Sequence, residues 1–501
     1  MKSPLTRSLL QTNTNKLKAI PYMTTNKSKF AYMKKLLLLL MLSGTTIYSQ
    51  TKTETELPSN LKEMSYNEYL GFVKKYHPLV KNANLEISKA QANLMMARGG
   101  FDPKLELDYN KKQFQGTEYY SIMNSSFKIP TWYGIEVKAG FEDNEGYYLN
   151  PQNKTPYNGV AALGISVPIG QGLLINQRMA DLQKAKIQVK LSQAEQKLMA
   201  VAILYDASVA YFNWKKNYEE YLLYQTYSTN AQVRYNGVES LIKQGDKPAI
   251  DSVEAGIVVK NRLLSLEDSK LKLAKAKLEL SNFLWLENNI PLELAEVIIP
   301  EKKLGQTIQE TLNISDLVNQ DFSLLQHPKI EALQSKIDML TVEKRMKANM
   351  LLPKIDVGYS YLAQPDPTIP NNNENYKVGI DFYFPLFLRK ERGSLKIAQF
   401  KIQESEFNRD LEKLQLTNKI SAQKTEIESL TKQQKLVNNL VDDYDKMLKS
   451  EERLFNIGES SLFLINTREN NLVSAQLSQI ALENRFYTSN SELYKIMANP
   501  N

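Results

Sequence analysis

Over two very long stretches, apolar positions recur every three or four residues. From Gln177 to about Lys243 the series Leu182, Ala185, Val189, Leu198, Val201, Ala202, Tyr205, Val209 and Phe212 contains no proline, and its one glycine is Gly237. From Ile397 to about Phe455 the same spacing runs through Phe400, Phe407, Leu411, Leu414, Ile420, Ile427, Leu430, Leu436 and Leu440. Each predicts a helix of about 65 residues, or about 100 Å at 1.5 Å per residue. No compact domain holds such rods.

Both rods end in a glycine turn. Leu241-Ile242-Lys243-Gln244-Gly245-Asp246 corresponds to Leu454-Phe455-Asn456-Ile457-Gly458-Glu459 at a constant offset of 213 positions. Glycine just past a helix supplies the left-handed cap, and Pro248 or Ser461 opens the next helix. The return arms, about Ala249 to Leu284 and Ser461 to Met497, stay heptad-like, so each rod and its arm pack as an antiparallel coiled coil.

A second period interrupts the helical one. Lys104 to Lys111 sets Leu105, Leu107 and Tyr109 against Glu106, Asp108 and Asn110; Val160 to Val167 runs up to Pro168, Lys354 to Leu362 follows Pro353, and Tyr376 to Phe384 runs up to Pro385. Alternation at period two with aromatic enrichment predicts strands with one apolar and one polar face. Tyr119 to Lys128 and Ile135 to Phe141 also have strand character, and either an extra hairpin or long loops would accommodate them. The expectation is one longer strand pair with an elaborated loop.

The chain also repeats itself. His77-Pro78 and Pro103-Lys104 return as His327-Pro328 and Pro353-Lys354 at an offset of 250, with Ser65 on Ser315 and Phe72 on Phe322 in the same register. Internal duplication decides the architecture before anything else does. Repeat 1 spans 64–285, with strands within 101–168 and a long hairpin at 177–284. A linker at 286–313 leads to repeat 2 at 314–498, with strands within 353–385 and a hairpin at 392–497. Pro103 to Pro168 spans 65 positions and Pro353 to Pro385 only 32, so the first strand region carries about 33 additional residues.

Composition narrows the class. The chain has 501 residues, 20 Gly, 19 Pro and no cysteine, which excludes disulfides, thiolate metal sites and a cysteine nucleophile. Met33-Lys34-Lys35, the apolar run Leu36 to Leu42 and the small residues up to Gln50 read as a signal peptide at 33–49, after an upstream extension at 1–32 and before a linker at 50–63. Nothing beyond Gln50 stays apolar for the roughly 20 residues of a spanning helix. If the exported chain meets a membrane, its strands must do so, as a closed barrel pooled from several copies. The net charge of +8 is spread as interspersed Lys and Glu over helix surfaces and does not point to nucleic acid.

In this order and at this doubled spacing, the His-Pro helix, Pro-Lys strand, long rod and glycine turn resemble the TolC-like outer-membrane efflux proteins. The resemblance covers about Ser65 to Met497. It implies a mainly α fold with a small β part, in which two structural repeats supply an α-helical barrel and strands for an outer-membrane β-barrel. It implies a homotrimer, four strands per subunit and twelve in the barrel, embedded in outer-membrane lipid, with a large periplasmic extension. The partners it implies are a periplasmic adaptor and an inner-membrane transporter, with the adaptor contacting the tips at Gly245, Asp246, Gly458, Glu459 and Ser460. The family often carries an acid six positions after the tip glycine. Asp251 keeps it, with Glu254 one turn on, and the pair is expected at the entrance constriction; Leu464 replaces the acid in repeat 2. The function implied is a passive exit duct. A type I protein-secretion duct and a periplasmic coiled-coil scaffold are the alternatives.

No phosphate-cradling glycine loop, His-Glu-x-x-His, nucleophile elbow or cysteine is present, so neither an enzyme nor a cofactor is expected. His77, Pro78, Pro103, His327, Pro328 and Pro353 read as structural markers of the repeat. Proline is tolerated in the first helical turn and restricts its predecessor. Asp251 and Glu254 also suit the dipole of a helix N-terminus, a second reading that stays open.

Overall fold

The computed structural model describes residues 62–312, 324–365 and 374–498. The expected upstream extension and signal peptide lie outside these residues, as do Ser315 and Phe322. In chain order the elements are β1 Lys62–Met64, α1 Tyr66–Tyr76, α2 Pro78–Gly99, β2 Lys104–Phe114, β3 Thr117–Pro130, β4 Glu136–Glu145, β5 Val160–Gly170, α3 Gln177–Gln244, α4 Ile250–Ser281. There follow β6 Trp285–Leu286, β7 Ile290–Pro291, β8 Ile298–Pro300, α5 Leu304–Thr311, α6 Pro328–Asn349, β9 Lys354–Ala363, β10 Tyr376–Tyr383, α7 Arg389–Asn456 and α8 Leu462–Met497.

The duplication is visible in the lengths. The rods α3 and α7 have 68 residues each, and the His-Pro helices α2 and α6 have 22 each. At about 1.5 Å per residue each rod is about 100 Å long. Asn176 caps α3 by accepting the N–H of Met179 at 2.9 Å, and Ser461 caps α8 by accepting that of Leu464 at 3.4 Å.

The strand count differs from expectation. One antiparallel sheet holds six strands in the order β10-β9-β5-β4-β3-β2, four of them from the first repeat. The additional residues are a hairpin, β3–β4, inserted between the two expected strands, and not a loop on a longer pair. Its signal was weak because Ser121, Ser125 and Ser126 occupy both faces of β3 and break the apolar alternation. β2 turns into β3 through Gln115 and Gly116, both at positive φ (50° and 75°), the two-residue geometry that matches strand twist. β5 continues past Pro168 to Gly170; β4 ends opposite Ser166, so beyond it β5 has a neighbour on one side only and accommodates the proline.

The helices stand side by side. Near the sheet the contacts run α2 to α3, α3 to α6 and α6 to α7; towards the glycine turns they run α4 to α3, α3 to α8 and α8 to α7. The main core lies midway along α3, where Tyr211, Phe212 and Trp214 meet Tyr66, Tyr69 and Val73 of α1, Leu280 of α4, Leu304 and Ile308 of α5, and Leu493 and Met497 of α8. Its hydroxyls are satisfied: Tyr66 and Ser208 lie 2.7 Å apart, Tyr69 donates to the Ala207 carbonyl at 3.1 Å, and Tyr211 donates to that of Met64 at 2.7 Å. Residues 286–312 belong here too, with β8 pairing in parallel with β1.

Candidate functional site at the sheet face and the hairpin tips

Strand register sorts the side chains of the sheet into two unlike faces. Leu105, Phe127, Ala139, Leu163, Tyr361 and Tyr376 form one row across all six strands, and Ile165, Tyr359 and Val378 lie in the next. Val357 with Ile380, and Ile355 with Phe382, continue the same face. These residues are exposed or half-buried in the single chain, Leu105 at 79% and Ile380 at 68% exposed. The opposite face carries Glu106, Asp108, Lys128, Lys138, Glu142, Ser166, Ser360, Gly379 and Asp381, with Lys138 3.6 Å from Glu136. A sheet that is apolar on one exposed face and charged on the other suits a wall between lipid and water. Among the described residues no helix is long and apolar enough to cross a membrane.

At the other end of the rods the two glycine turns are built alike. Gly245 and Gly458 have φ of 86° and 83°. The N–H of Gly245 reaches the Ile242 carbonyl at 3.0 Å and that of Asp246 reaches Leu241 at 3.0 Å; Gly458 bonds Phe455 at 3.1 Å and Glu459 bonds Leu454 at 2.9 Å. Both are Schellman closures, which require a left-handed residue where glycine stands. Gly245, Asp246, Gly458 and Glu459 are exposed, and Ser460 is half-buried, its hydroxyl donating to Glu451 at 2.5 Å. Arg468 also meets Glu451 at 3.3 Å, and the Ser460 bond followed by this guanidinium holds the Glu451 carboxyl below the ordinary range.

Asp251 lies in the first turn of α4, half-buried, its backbone N–H bonded to Pro248. Glu254 turns toward the second hairpin and accepts the Asn466 amide at 3.2 Å. That contact opens onto a charge cluster that sequence reasoning missed. Glu469 of α8, 1% exposed, sits between Arg234 of α3 at 2.5 Å and Arg262 of α4 at 3.2 Å. Asn466 accepts from Arg234 at 3.3 Å and Asn470 from Arg262 at 2.7 Å; Arg262 also lies over the Tyr227 ring, and Glu452 of α7 is 3.9 Å from Arg234. Four helices of two hairpins meet at one buried carboxylate. Its members lie 235 residues apart in a chain rich in Lys and Glu, and no spacing rule joins them.

Both histidines stand at helix starts. His77 and His327 are the N-cap residues of α2 and α6. His77 stacks on Phe283 at 5.5 Å, and burial lowers its basicity against a bond to the backbone of Asn282. His327 Nδ1 accepts the Lys329 N–H at 3.1 Å while Nε2 meets the Ile496 carbonyl at 2.8 Å, which requires the neutral Nε2–H tautomer. Burial first, and Lys329 in addition, hold its pKa below the usual value. Pro103 and Pro353 immediately precede β2 and β9.

Residues 321–499 match the family model for the outer membrane efflux protein. No curated protein sequence matches the chain. Among solved structures it is similar to the CmeC outer membrane channel of Campylobacter jejuni, at 14% identity and a TM-score of 0.61 over 91% of this chain and 94% of that one. It is also similar to the open-state MtrE outer membrane channel of Neisseria gonorrhoeae, at 13% identity and a TM-score of 0.62 over 91% and 97%. The outer membrane protein VceC of Vibrio cholerae gives 13% identity and a TM-score of 0.60 over 86% and 96%. The second repeat thus resembles the outer membrane efflux protein family, and along most of its length the chain has the fold seen in these outer-membrane channel structures.

Proposed function

We propose that three copies assemble into a passive exit duct, the outer-membrane component of a tripartite efflux system. The observation that carries this reading is the sheet whose exposed apolar face is continuous across six strands and whose other face is charged, joined directly to rods about 100 Å long. The sheet wall sits in the outer membrane, the rods line a periplasmic tunnel, and the tips at Gly245, Asp246, Gly458, Glu459 and Ser460 receive a periplasmic adaptor that joins the duct to an inner-membrane transporter. There is no chemical step. Conduction is set by lining and by how tightly the hairpins hold together at the tips.

The deciding experiment is fractionation of cells expressing the full chain. The protein is expected in outer-membrane fractions, extracted only by detergent and running as a heat-modifiable trimer; a freely soluble chain rejects the duct. Asp251 is proposed to line the entrance, where a ring of carboxylates favours cations. Asp251→Lys is expected to shift the ion preference of reconstituted channels towards anions. Unchanged preference and conductance reject that role, leaving Asp251 as an acid that suits a helix N-terminus.

A further inference from the structure

We propose that the β3–β4 hairpin is part of the barrel wall, and that β2 of one copy pairs with β10 of the next, so that three copies close an eighteen-stranded barrel. This rests on the trimeric duct reading and changes its membrane end, since four strands per copy would give twelve.

The extra hairpin is built as wall. Phe127 of β3 and Val137, Ala139 and Phe141 of β4 fall on the apolar face in direct register with Leu163 and Ile165 of β5. Lys138 and Glu142 fall on the charged face. On β4 that alternation runs in phase with β5, which a flap lying in water has no physical reason to do. The hairpin also reaches the helices: the turn between β3 and β4 stacks Trp132 on Phe101 with centroids 5.6 Å apart, accepts the Asn176 amide at the Trp132 carbonyl (3.1 Å), and places Glu136 3.0 Å from Arg178 of α3.

The apolar band also climbs. Its centre moves from between Val378 and Ile380 on β10 to Leu107 on β2, about five residues across five strand steps in the pairing register. One residue of about 3.3 Å per strand spacing of about 4.8 Å corresponds to a tilt of about 35° for a level membrane band, within the range of membrane barrels. At that tilt eighteen strands span a circumference of about 105 Å, and twelve only about 70 Å. Each copy joins its sheet through four helices, α2, α3, α6 and α7. Twelve helices at spacings of 8–10 Å need about 95–120 Å, a circumference that eighteen strands match.

The free edges suit each other. β2 leads away from α2 and β10 leads into α7, so β10 of the partner subunit beside β2 is antiparallel, like every other pair in the sheet. A uniform climb sets Leu107 beside Ile380 of the partner subunit.

The test is a strand count by electron cryomicroscopy of the detergent-extracted full chain in lipid nanodiscs, with copy number from native mass. Three copies and eighteen strands are expected. Three copies and twelve strands overturn this inference and leave the duct intact, whereas a different copy number overturns the trimeric reading beneath it. A second readout uses the absence of native cysteine. Single cysteines from Val137→Cys to Glu142→Cys should alternate, with odd positions quenched by a nitroxide in the lipid acyl chains and even positions labelled by a water-soluble maleimide. Uniform labelling places the hairpin outside the wall. Leu107→Cys combined with Ile380→Cys, or with Val378→Cys or Phe382→Cys, should yield covalent species of up to three copies on oxidation; species confined to single copies for all three pairs overturn the β2–β10 contact.

Discussion

At the scale of single residues the decisive groups are buried charges and rings whose partners come from distant sequence. Glu469 holds Arg234 and Arg262 between the two hairpins. Its removal strands two guanidinium groups in a half-buried site, a loss of about 3–5 kcal/mol in comparable pairs. Glu469→Ala is therefore expected to raise hydrogen exchange around residues 234 and 262 and to increase single-channel conductance as the tips loosen. An increase in exchange without any change in conductance would make the cluster structural only. His327 gives a pH signature of known sign. Its folded-state basicity is depressed below the ordinary 6.5, so the unfolded chain takes up the proton first as pH falls. Stability from this site is complete above about pH 6.5 and declines below it. Thermal unfolding between pH 7.5 and 5 should show the decline, and His327→Asn, which keeps an N-cap oxygen, should flatten it. The sequence pattern revealed that the two histidines mark helix starts; the neutral tautomer follows only from Ile496, 169 residues away.

At the scale of elements, legibility followed period. The rods were readable to within a few residues at most boundaries because 68 residues of three-four spacing leave no alternative, and each glycine turn was readable because its offset repeats. The β3–β4 hairpin was not, since a strand with serines on both faces carries little apolar alternation. Two glycines show that position, and not glycine itself, decides the effect of substitution. Gly458 has φ of 83°, and an added Cβ there meets nothing within 4 Å, so Gly458→Ala carries only the backbone cost of about 1–2 kcal/mol. Gly237 sits inside α3 with equally open space, and Gly237→Ala should stabilise by about 1 kcal/mol. Hydrogen exchange in the last turns of α7 and around residue 237 near the end of α3 should move in opposite directions; equal shifts in both would contradict the left-handed cap.

At the scale of the whole molecule, the described chain leaves corresponding flanks of its two layers open. The row of helices ends at α2 and α4 on one side and at α7 on the other, and the sheet ends at β2 and β10, which connect directly to α2 and α7. Along α7, Phe400, Phe407, Leu411, Leu414, Leu436 and Leu440 recur on one face, about opposite the buried row Ala398, Leu416, Ile420 and Leu430, and Phe407 is 73% exposed. On α4, Val253, Ile257, Leu264, Leu271 and Leu278 form a near-heptad exposed stripe. Two apolar stripes on opposite flanks of one row suit a head-to-tail interface, and such an interface closes into a ring when the rotation between copies divides a full turn. Replacing Phe407 by Asp loses about 1.5–3 kcal/mol of apolar burial at each contact and adds the desolvation of a carboxylate. Because the side chain has no role in the core of its own chain, far-UV circular dichroism of Phe407→Asp should match the parent. The proposed trimer, solubilised in detergent, should meanwhile dissociate at protein concentrations where the parent stays assembled, as read by native mass. A variant that remains trimeric to the same dilution places the contact elsewhere than on this flank of α7.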